Sequence, residues 1–402
     1  MVKSIVKKLT MSLTDRILET LDNRRKRILE GDINCIPSPF RRLSNSFPGI
    51  EQDKYYLVSG STKAAKTQIT NYLFVYTPIL YAYEHPEQLR VKIFYFPLEE
   101  TPENITLRFM SYLLYTLSGK QIRISPMDLK STNADKVLDE EILNILKSDE
   151  YQKILKFYED NVLFMSARNP TGIYKTVKDY ADKNGIIHRK KVKITNKETG
   201  NTEEIEAFDY YEPHDKKEYV IVITDHVSLL NQEKGMNLRE TINKYSEYMM
   251  IARNNYHYIP VCVQQQSTET TNLEAFKSNK IRPTMAGLSD SKYTAKDCSV
   301  MFGITNPFAF ELPEYLGYDI SKLRSHVRFL EIVLNREGES NDIAPLYFDG
   351  ATNYFTELPP SKDSVSMQKV YDLIAKLKVP ANKVFIAFST NKMFNFLFKW
   401  IK

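Results

Sequence analysis

The run Gly60-Ser61-Thr62-Lys63-Ala64-Ala65-Lys66-Thr67 has the residue types and spacing to wrap a phosphate chain. It lies between the apolar run Tyr55 to Ser59 and a helix-compatible segment beginning at Gln68. A strand, loop and helix in that order turn successive backbone N–H groups and the positive end of a helix toward one anion. Lys66 occupies the position that reaches the β and γ phosphates of ATP, and the Thr67 hydroxyl the position that holds Mg²⁺. Ala65 stands where the phosphate-loop pattern has glycine, so its methyl group narrows the backbone conformations open to the loop. Taken alone, the run also suits a strand-to-helix turn that merely contains Lys and Thr.

Three more strand ends carry polar groups suited to the same chemistry. The apolar run Tyr219 to Thr224 ends in Asp225-His226, and a carboxylate fixed at the end of a buried strand can hold a Mg²⁺-bound water near Thr67. Mg²⁺ prefers oxygen, so His226 is not expected to be a ligand. Val91 to Phe96 ends in Pro97-Leu98-Glu99-Glu100; either glutamate could orient an attacking water, or cap the following helix. Ile259 to Val263 leads into Gln264-Gln265-Gln266, whose amides can both donate and accept hydrogen bonds and so report whether a terminal phosphate is present. Beyond them, Lys277, Lys280 and Arg282 form a basic cluster in a polar, loop-like stretch. Such a cluster can hold a nucleic-acid backbone without reading bases, or be an ordinary solvated face.

These groups need a frame that brings several strand ends together. Short Val, Ile, Phe and Tyr-rich runs at Tyr55 to Ser59, Val91 to Phe96, Asn161 to Met165, Tyr219 to Thr224 and Ile259 to Val263 alternate with longer mixed segments. Helices are expected at Ile105 to Leu114, Lys136 to Tyr158 and Leu238 to Asn254. The predicted class is α/β, a mostly parallel central sheet covered by helices. Phe329 to Leu334 and Ile343 to Tyr347 are expected to form a C-terminal antiparallel hairpin. A second hairpin is expected as an insert at 185–211, one strand basic and the other acidic.

The ends of the chain differ in character from this middle. Ser12 to Glu30 has apolar residues at Leu13, Ile17, Leu18, Leu21 and Ile28, the stripe of an amphipathic helix, and a Pro- and Gly-containing segment follows it. Met367, Val370, Tyr371, Ile374 and Leu377 have helical spacing in the tail, which ends in an aromatic run including Phe394, Phe396, Phe398 and Trp400. The division expected is a linker helix region at 1–33, a motor domain at 34–360 and a C-terminal tail at 361–402.

Composition narrows the class without naming it. With 402 residues, 42% of them apolar, the chain can build a large core; 3 cysteines make no disulfide framework, and no apolar stretch reaches the roughly 18 residues of a spanning helix. A secretion signal and membrane association are not expected, and the expected location is the cytoplasm, or a host's cytoplasm were the chain viral. The net charge of +5, from 55 Lys and Arg against 50 Asp and Glu, is too small to argue for nucleic acid by itself.

In order and spacing, these motifs resemble the motor domain of replicative hexameric DNA helicases of the DnaB type, within the RecA-like P-loop NTPases. The resemblance spans Asn34 to Pro359. Phe96-Pro97-Leu98-Glu99-Glu100 is similar to the family's Ser-Leu-Glu-Met motif, which implies that Glu99 positions the attacking water; Arg108 follows in the next helix as a basic residue does there. Asp225-His226-Val227-Ser228 resembles the family's Asp-Tyr-Leu-Gln, and the strand from Pro260 resembles one ending in Ser-Gln, which implies Gln266 as the phosphate sensor. Leu334-Asn335-Arg336-Glu337-Gly338 resembles Lys-Gln-Arg-Asn-Gly, which implies that Arg336 enters a neighbouring subunit's nucleotide site; Phe348-Asp349-Gly350 matches a Phe-Asp-Gly turn. Besides Ala65, the sequence departs from the family at Leu334, where a lysine is usual, and at Ser289, where an arginine is usual.

The resemblance implies an ATPase using ATP and Mg²⁺, a homo-oligomer such as a hexameric ring, and a helicase or translocase on single-stranded or forked DNA in replication. It further implies a replication partner such as a primase. With the loop opening at Gly60, a separate N-terminal collar domain is not expected in this chain. The alternative class is a RecA-like nucleotide-binding assembly or regulatory protein that moves no DNA.

Overall fold

Leu57 and Val58 are both fully buried although they point to opposite faces of their strand, because that strand lies inside a sheet covered on both sides. The structure, a computed structural model, describes residues 12–132, 134, 137–195, 202–267 and 281–377. Its strands are β1 (Tyr56–Gly60), β2 (Arg90–Pro97), β3 (Val162–Phe164), β4 (Gly185–Thr195), β5 (Thr202–Pro213), β6 (Glu218–Asp225) and β7 (Ile259–Gln265). They continue with β8 (Val300–Thr305), β9 (Val327–Asn335), β10 (Ile343–Asp349) and β11 (Tyr354–Glu357).

Nine of these strands form one sheet in the order β11-β10-β9-β8-β1-β7-β6-β2-β3. From β8 to β3 every pairing is parallel; from β8 through β9 and β10 to β11 every pairing is antiparallel. The α/β class and the C-terminal hairpin are therefore present, and the hairpin is extended by a third strand, β11. The strand β8, which joins the two halves by pairing with both β1 and β9, was not among the expected strands.

The helices that matter for the site are α1 (Leu13–Leu29), α2 (Lys66–Asn71), α3 (Thr77–Glu84), α4 (Pro102–Leu117), α5 (Asp149–Asn161), α6 (Pro170–Asn184), α7 (Leu238–Tyr256) and α8 (Ser364–Lys376). Val58 and Tyr56 join one apolar cluster with Ile69, Phe74 and Phe109, while Leu57 and Tyr55 join the other with Val177, Ile242 and Met249. The helix expected from Lys136 to Tyr158 is interrupted: Glu140–Leu146 and α5 are separate, because Ser148 is extended and its hydroxyl donates back to the Ile145 carbonyl at 2.7 Å. Lys136 itself lies outside the described residues.

The insert is a two-stranded ribbon of β4 and β5. Lys191 meets Glu204 and Lys190 meets Asp209, each at 3.0 Å, so opposite charges do face across the pair. Helix α1 begins with a reciprocal cap between Ser12 and Asp15 and is tied down only near its end, by Arg24 to Glu51 at 2.8 Å. Ile17, Leu18, Leu21 and Ile28 on it stay exposed. In the tail, Met367 and Ile374 of α8 are buried in the main core; Phe394, Phe396, Phe398 and Trp400 lie outside the described residues. Among the described residues no helix is long and apolar enough to cross a membrane.

Candidate nucleotide site

Parallel pairing aligns the C-terminal ends of the central strands, which sets Gly60 opposite Gln265 and Pro97 opposite Asp225 along one edge of the sheet. The loop from Gly60 to Lys66 starts there. A side chain at position 60 would bring its first carbon within 2.6 Å of the Ile304 carbonyl oxygen, so only glycine fits where the loop leaves β1. Lys63 and Ala65 both have left-handed backbone, at φ 62° and 77°. For an alanine that conformation costs on the order of 1 kcal/mol, which is the physical content of the missing glycine.

The Lys66 ammonium folds onto the loop's own Ser61 carbonyl at 3.1 Å. Burial lowers its pKa, while the carboxylates of Asp225 and Glu99 pull it back up. These are the two acidic groups expected around a bound Mg²⁺ nucleotide. Asp225 is 3% exposed at the end of β6, and Tyr95 donates to its Oδ2 at 3.3 Å. Its Oδ1 is buried and has no hydrogen-bond partner. Burial pushes the carboxyl up to about 6; the Thr67 hydroxyl beside it works against the rise, and the charges of Glu99 and Glu100 add to it. An orphaned buried carboxylate oxygen beside a hydroxyl is a hard-oxygen donor pair that fits Mg²⁺, which keeps several waters and takes phosphate oxygens for the rest. Thr67 and Asp225 are the residues that would hold it.

Glu99 and Glu100 have different surroundings. Glu100 is gripped by Arg108 of α4, whose Nη2 and Nε donate to it at 2.7 and 3.1 Å. Glu99 is exposed at the rim, its nearest charged neighbour being His226 at 3.7 Å. Burial holds that imidazole below its usual pKa, against the pull of Glu99, so it is neutral at pH 7. The free carboxylate is Glu99.

The glutamines divide by strand alternation. Gln266 is buried, donates to the Ser59 hydroxyl at 2.8 Å and to the Thr284 carbonyl at 3.2 Å, and accepts from the Thr284 N–H. Its amide is consumed in holding the loop after β7. The amide that reaches the phosphate loop is that of Gln265, whose Nε2 lies 2.5 Å from the Thr62 hydroxyl. The sensor position implied by the resemblance therefore moves by one residue.

No protein-family model matches the chain, and no curated protein matches it by sequence. Solved structures do match by shape. An ATPase domain of a DnaB-like replicative helicase aligns over 87% of this chain and 99% of its own, with a TM-score of 0.56 at 13% identity. A second DnaB-like replicative helicase, solved for its interactions with primase, aligns over 87% of this chain and 67% of its own, with a TM-score of 0.57 at 13% identity. The fold is that of a DnaB-like helicase ATPase domain.

In that DnaB-like frame, Arg336 lies far from its own phosphate loop. Its strand, β9, runs antiparallel to β8, and the pairings Asn335 with Val300 and Val300 with Tyr56 put Arg336 beside the start of β1. Gly60 is at the other end, roughly 13 Å along the strand at about 3.3 Å per residue. Arg336 is exposed, and its Nε donates to the Cys298 carbonyl at 2.8 Å. Leu334, at the usual lysine position, is half-buried; Ser289, at the usual arginine position, donates its hydroxyl to the Gln265 carbonyl at 2.9 Å. Of the basic cluster, Arg282 is engaged by Glu331, its Nε donating at 2.6 Å, and Lys277 and Lys280 lie outside the described residues.

Two residues on the β8–β9 side of the DnaB-like fold touch the phosphate loop and were not singled out in the sequence. Asn306 donates to the Lys63 carbonyl at 3.2 Å, and Arg328 donates from Nε to the Ala64 carbonyl at 2.9 Å. Neither lies near the loop in sequence, and no local pattern marks them.

Proposed function

We propose that this chain is an ATPase whose hydrolysis of ATP drives a helicase or translocase on single-stranded or forked DNA. The observation that carries the reading is the buried, unpartnered Asp225 Oδ1 beside Thr67, with Lys66 on the loop and Glu99 free at the same sheet edge. Bound ATP-Mg²⁺ would supply the phosphoanhydride bond and the cation that neutralises its charge.

The chain's own residues do the rest. The backbone from Gly60 to Thr67 wraps the phosphates, and Lys66 gives up its Ser61 carbonyl to reach them. Glu99 orients the attacking water, with His226 neutral beside it. Gln265, already on Thr62, registers the change in the loop when the terminal phosphate leaves. Arg336, at the far edge of the sheet, arrives at the nucleotide of a neighbouring copy. The exposed stripe of α1 suits a contact between copies in a homo-oligomer, of which a hexameric ring is the form the DnaB-like fold favours. Lys277 and Lys280 are the candidates for a DNA backbone contact, and Arg282 supports them only by releasing Glu331. A primase is the natural partner to test, because one of the similar structures was solved for that interaction.

A second reading, a nucleotide-binding assembly protein that moves no DNA, draws on Leu334, Ser289 and the engaged Arg282, which remove positive charges a motor would use. Unwinding of a forked DNA by the full chain separates the two. ATP-dependent strand separation is expected; ATP binding without strand separation or translocation would favour the second reading.

A further inference from the structure

Arg328 is 5% exposed on β9, yet among the described residues no carboxylate pairs with it. Its guanidinium makes bonds only to main-chain carbonyls: Nε to Ala64 at 2.9 Å, and Nη1 to Ser325 at 3.0 Å and Val327 at 2.7 Å. The Phe348 ring lies beneath it, 4.7 Å away. A buried cation without a counter-ion is destabilising, and burial lowers its pKa to about 9 while leaving it charged near neutrality. Its position suggests what it does. Ala64 sits between the two left-handed residues of the loop, Lys63 and Ala65, and Asn306 grips the Lys63 carbonyl one peptide earlier.

In a trans peptide the carbonyl and the next N–H point in opposite directions. Drawing the Ala64 carbonyl outward to Arg328 therefore turns the Ala65 N–H inward, toward the space that phosphate oxygens would fill. Glycine at position 65 would hold the left-handed conformation unaided; alanine holds it only when its surroundings fix it.

We propose that Arg328, assisted by Asn306, is a positioning residue that clamps the phosphate loop in its anion-binding form and so replaces the conformational freedom lost with a glycine at position 65. This rests on the reading of the loop as a nucleotide site. The clamp also links two functions on one strand, since β9 carries Arg328 at the end that holds its own loop and leads to Arg336 at the other.

The test is a double-mutant cycle on the full chain, read as affinity for a fluorescent ADP with Mg²⁺ and as thermal unfolding without nucleotide. Arg328→Met is expected to weaken affinity about tenfold or more, because a loop displaced by even an ångström loses its aligned donors. It is expected to leave the melting temperature unchanged or raised, since an unpaired buried cation is removed. Adding Ala65→Gly to Arg328→Met is expected to recover most of the lost affinity, while Ala65→Gly alone changes it less than about twofold. Equal effects of Ala65→Gly in both backgrounds, or unchanged affinity in Arg328→Met, would overturn the clamp. Should Arg328→Met not fold, Arg328→Lys and Asn306→Ala carry the same test with the same two outcomes. Lys66→Ala separates the underlying reading: nucleotide bound by the natural protein and lost in Lys66→Ala upholds the site, whatever Arg328 does. Failure of the natural protein to bind overturns both.

Discussion

Arg108 holds Glu100 by two hydrogen bonds, 2.7 and 3.1 Å long, and thereby leaves Glu99 as the only free carboxylate of the adjacent pair. The two positions should separate in experiment. Glu99→Gln is expected to lower ATP turnover by about 10²-fold or more while nucleotide still binds, as for loss of a water-positioning base. Glu100→Gln is expected to cost on the order of 1 kcal/mol of stability, through the half-orphaned Arg108, with turnover largely kept. Steady-state turnover and thermal unfolding of both variants check this, and a larger turnover loss in Glu100→Gln would reverse the assignment.

The glutamines at the end of β7 should divide in the opposite sense to the family resemblance. Gln266→Ala leaves the Ser59 hydroxyl and the Thr284 N–H without their buried partner, so a loss of about 1–3 kcal/mol is expected in chemical denaturation. Gln265→Ala is expected to leave stability nearly unchanged but to alter the ratio of ATP to ADP affinity, since its amide touches Thr62 of the loop. An unchanged ratio with Gln265→Ala would remove it as a sensor.

Most of the frame was legible in the residues, because buried parallel strands announce themselves as short Val- and Ile-rich runs and the strand ends carry the chemistry. The phosphate loop, Asp225 and the C-terminal hairpin all followed from such runs. What stayed hidden had physical reasons. In Gln264-Gln265-Gln266 three identical side chains alternate faces, so composition cannot say which one looks at the loop. β8 has a glycine, Gly303, within its short apolar run, and α6 buries only the narrow stripe Ile173, Val177 and Ala181. Arg328 reads as one charge in an apolar strand, and the carbonyl it holds is 264 residues away in the chain.

Asp225 ties stability to function through pH. Its folded carboxyl titrates near 6, above its ordinary 3.8, so the folded state binds that proton more tightly than the unfolded chain. Stability from this group is therefore present at low pH and is lost as pH rises from about 4 to about 6. Asp225→Asn should remove the penalty. The nucleotide-free variant is expected to be more stable than the natural protein at pH 7.5, by on the order of 2 kcal/mol, with the gain vanishing below about pH 4. Mg²⁺-dependent nucleotide affinity should fall in the same variant. Denaturation curves at several pH values decide it, and a variant less stable at pH 7.5 would contradict the burial argument.

Arg336 lies across the sheet from its own loop, so its loss should be complemented in mixed assemblies. Neither Arg336→Ala nor Glu99→Gln is expected to turn over ATP well alone. Mixing them forms some interfaces in which an intact Glu99 faces an intact Arg336, and partial recovery of turnover is expected. Mixtures no more active than the separate variants, although shown to co-assemble by sedimentation, would count against action between copies.

The central claim, that ATP hydrolysis at the Asp225, Thr67 and Glu99 edge moves DNA, is tested most directly by one paired assay. ATP turnover and forked-DNA unwinding are measured together for the natural protein and for Glu99→Gln. The account predicts turnover stimulated by single-stranded DNA and unwinding in the natural protein, with both lost and nucleotide binding retained in Glu99→Gln. Unwinding that survives Glu99→Gln, or turnover in the natural protein with no DNA movement, would contradict it.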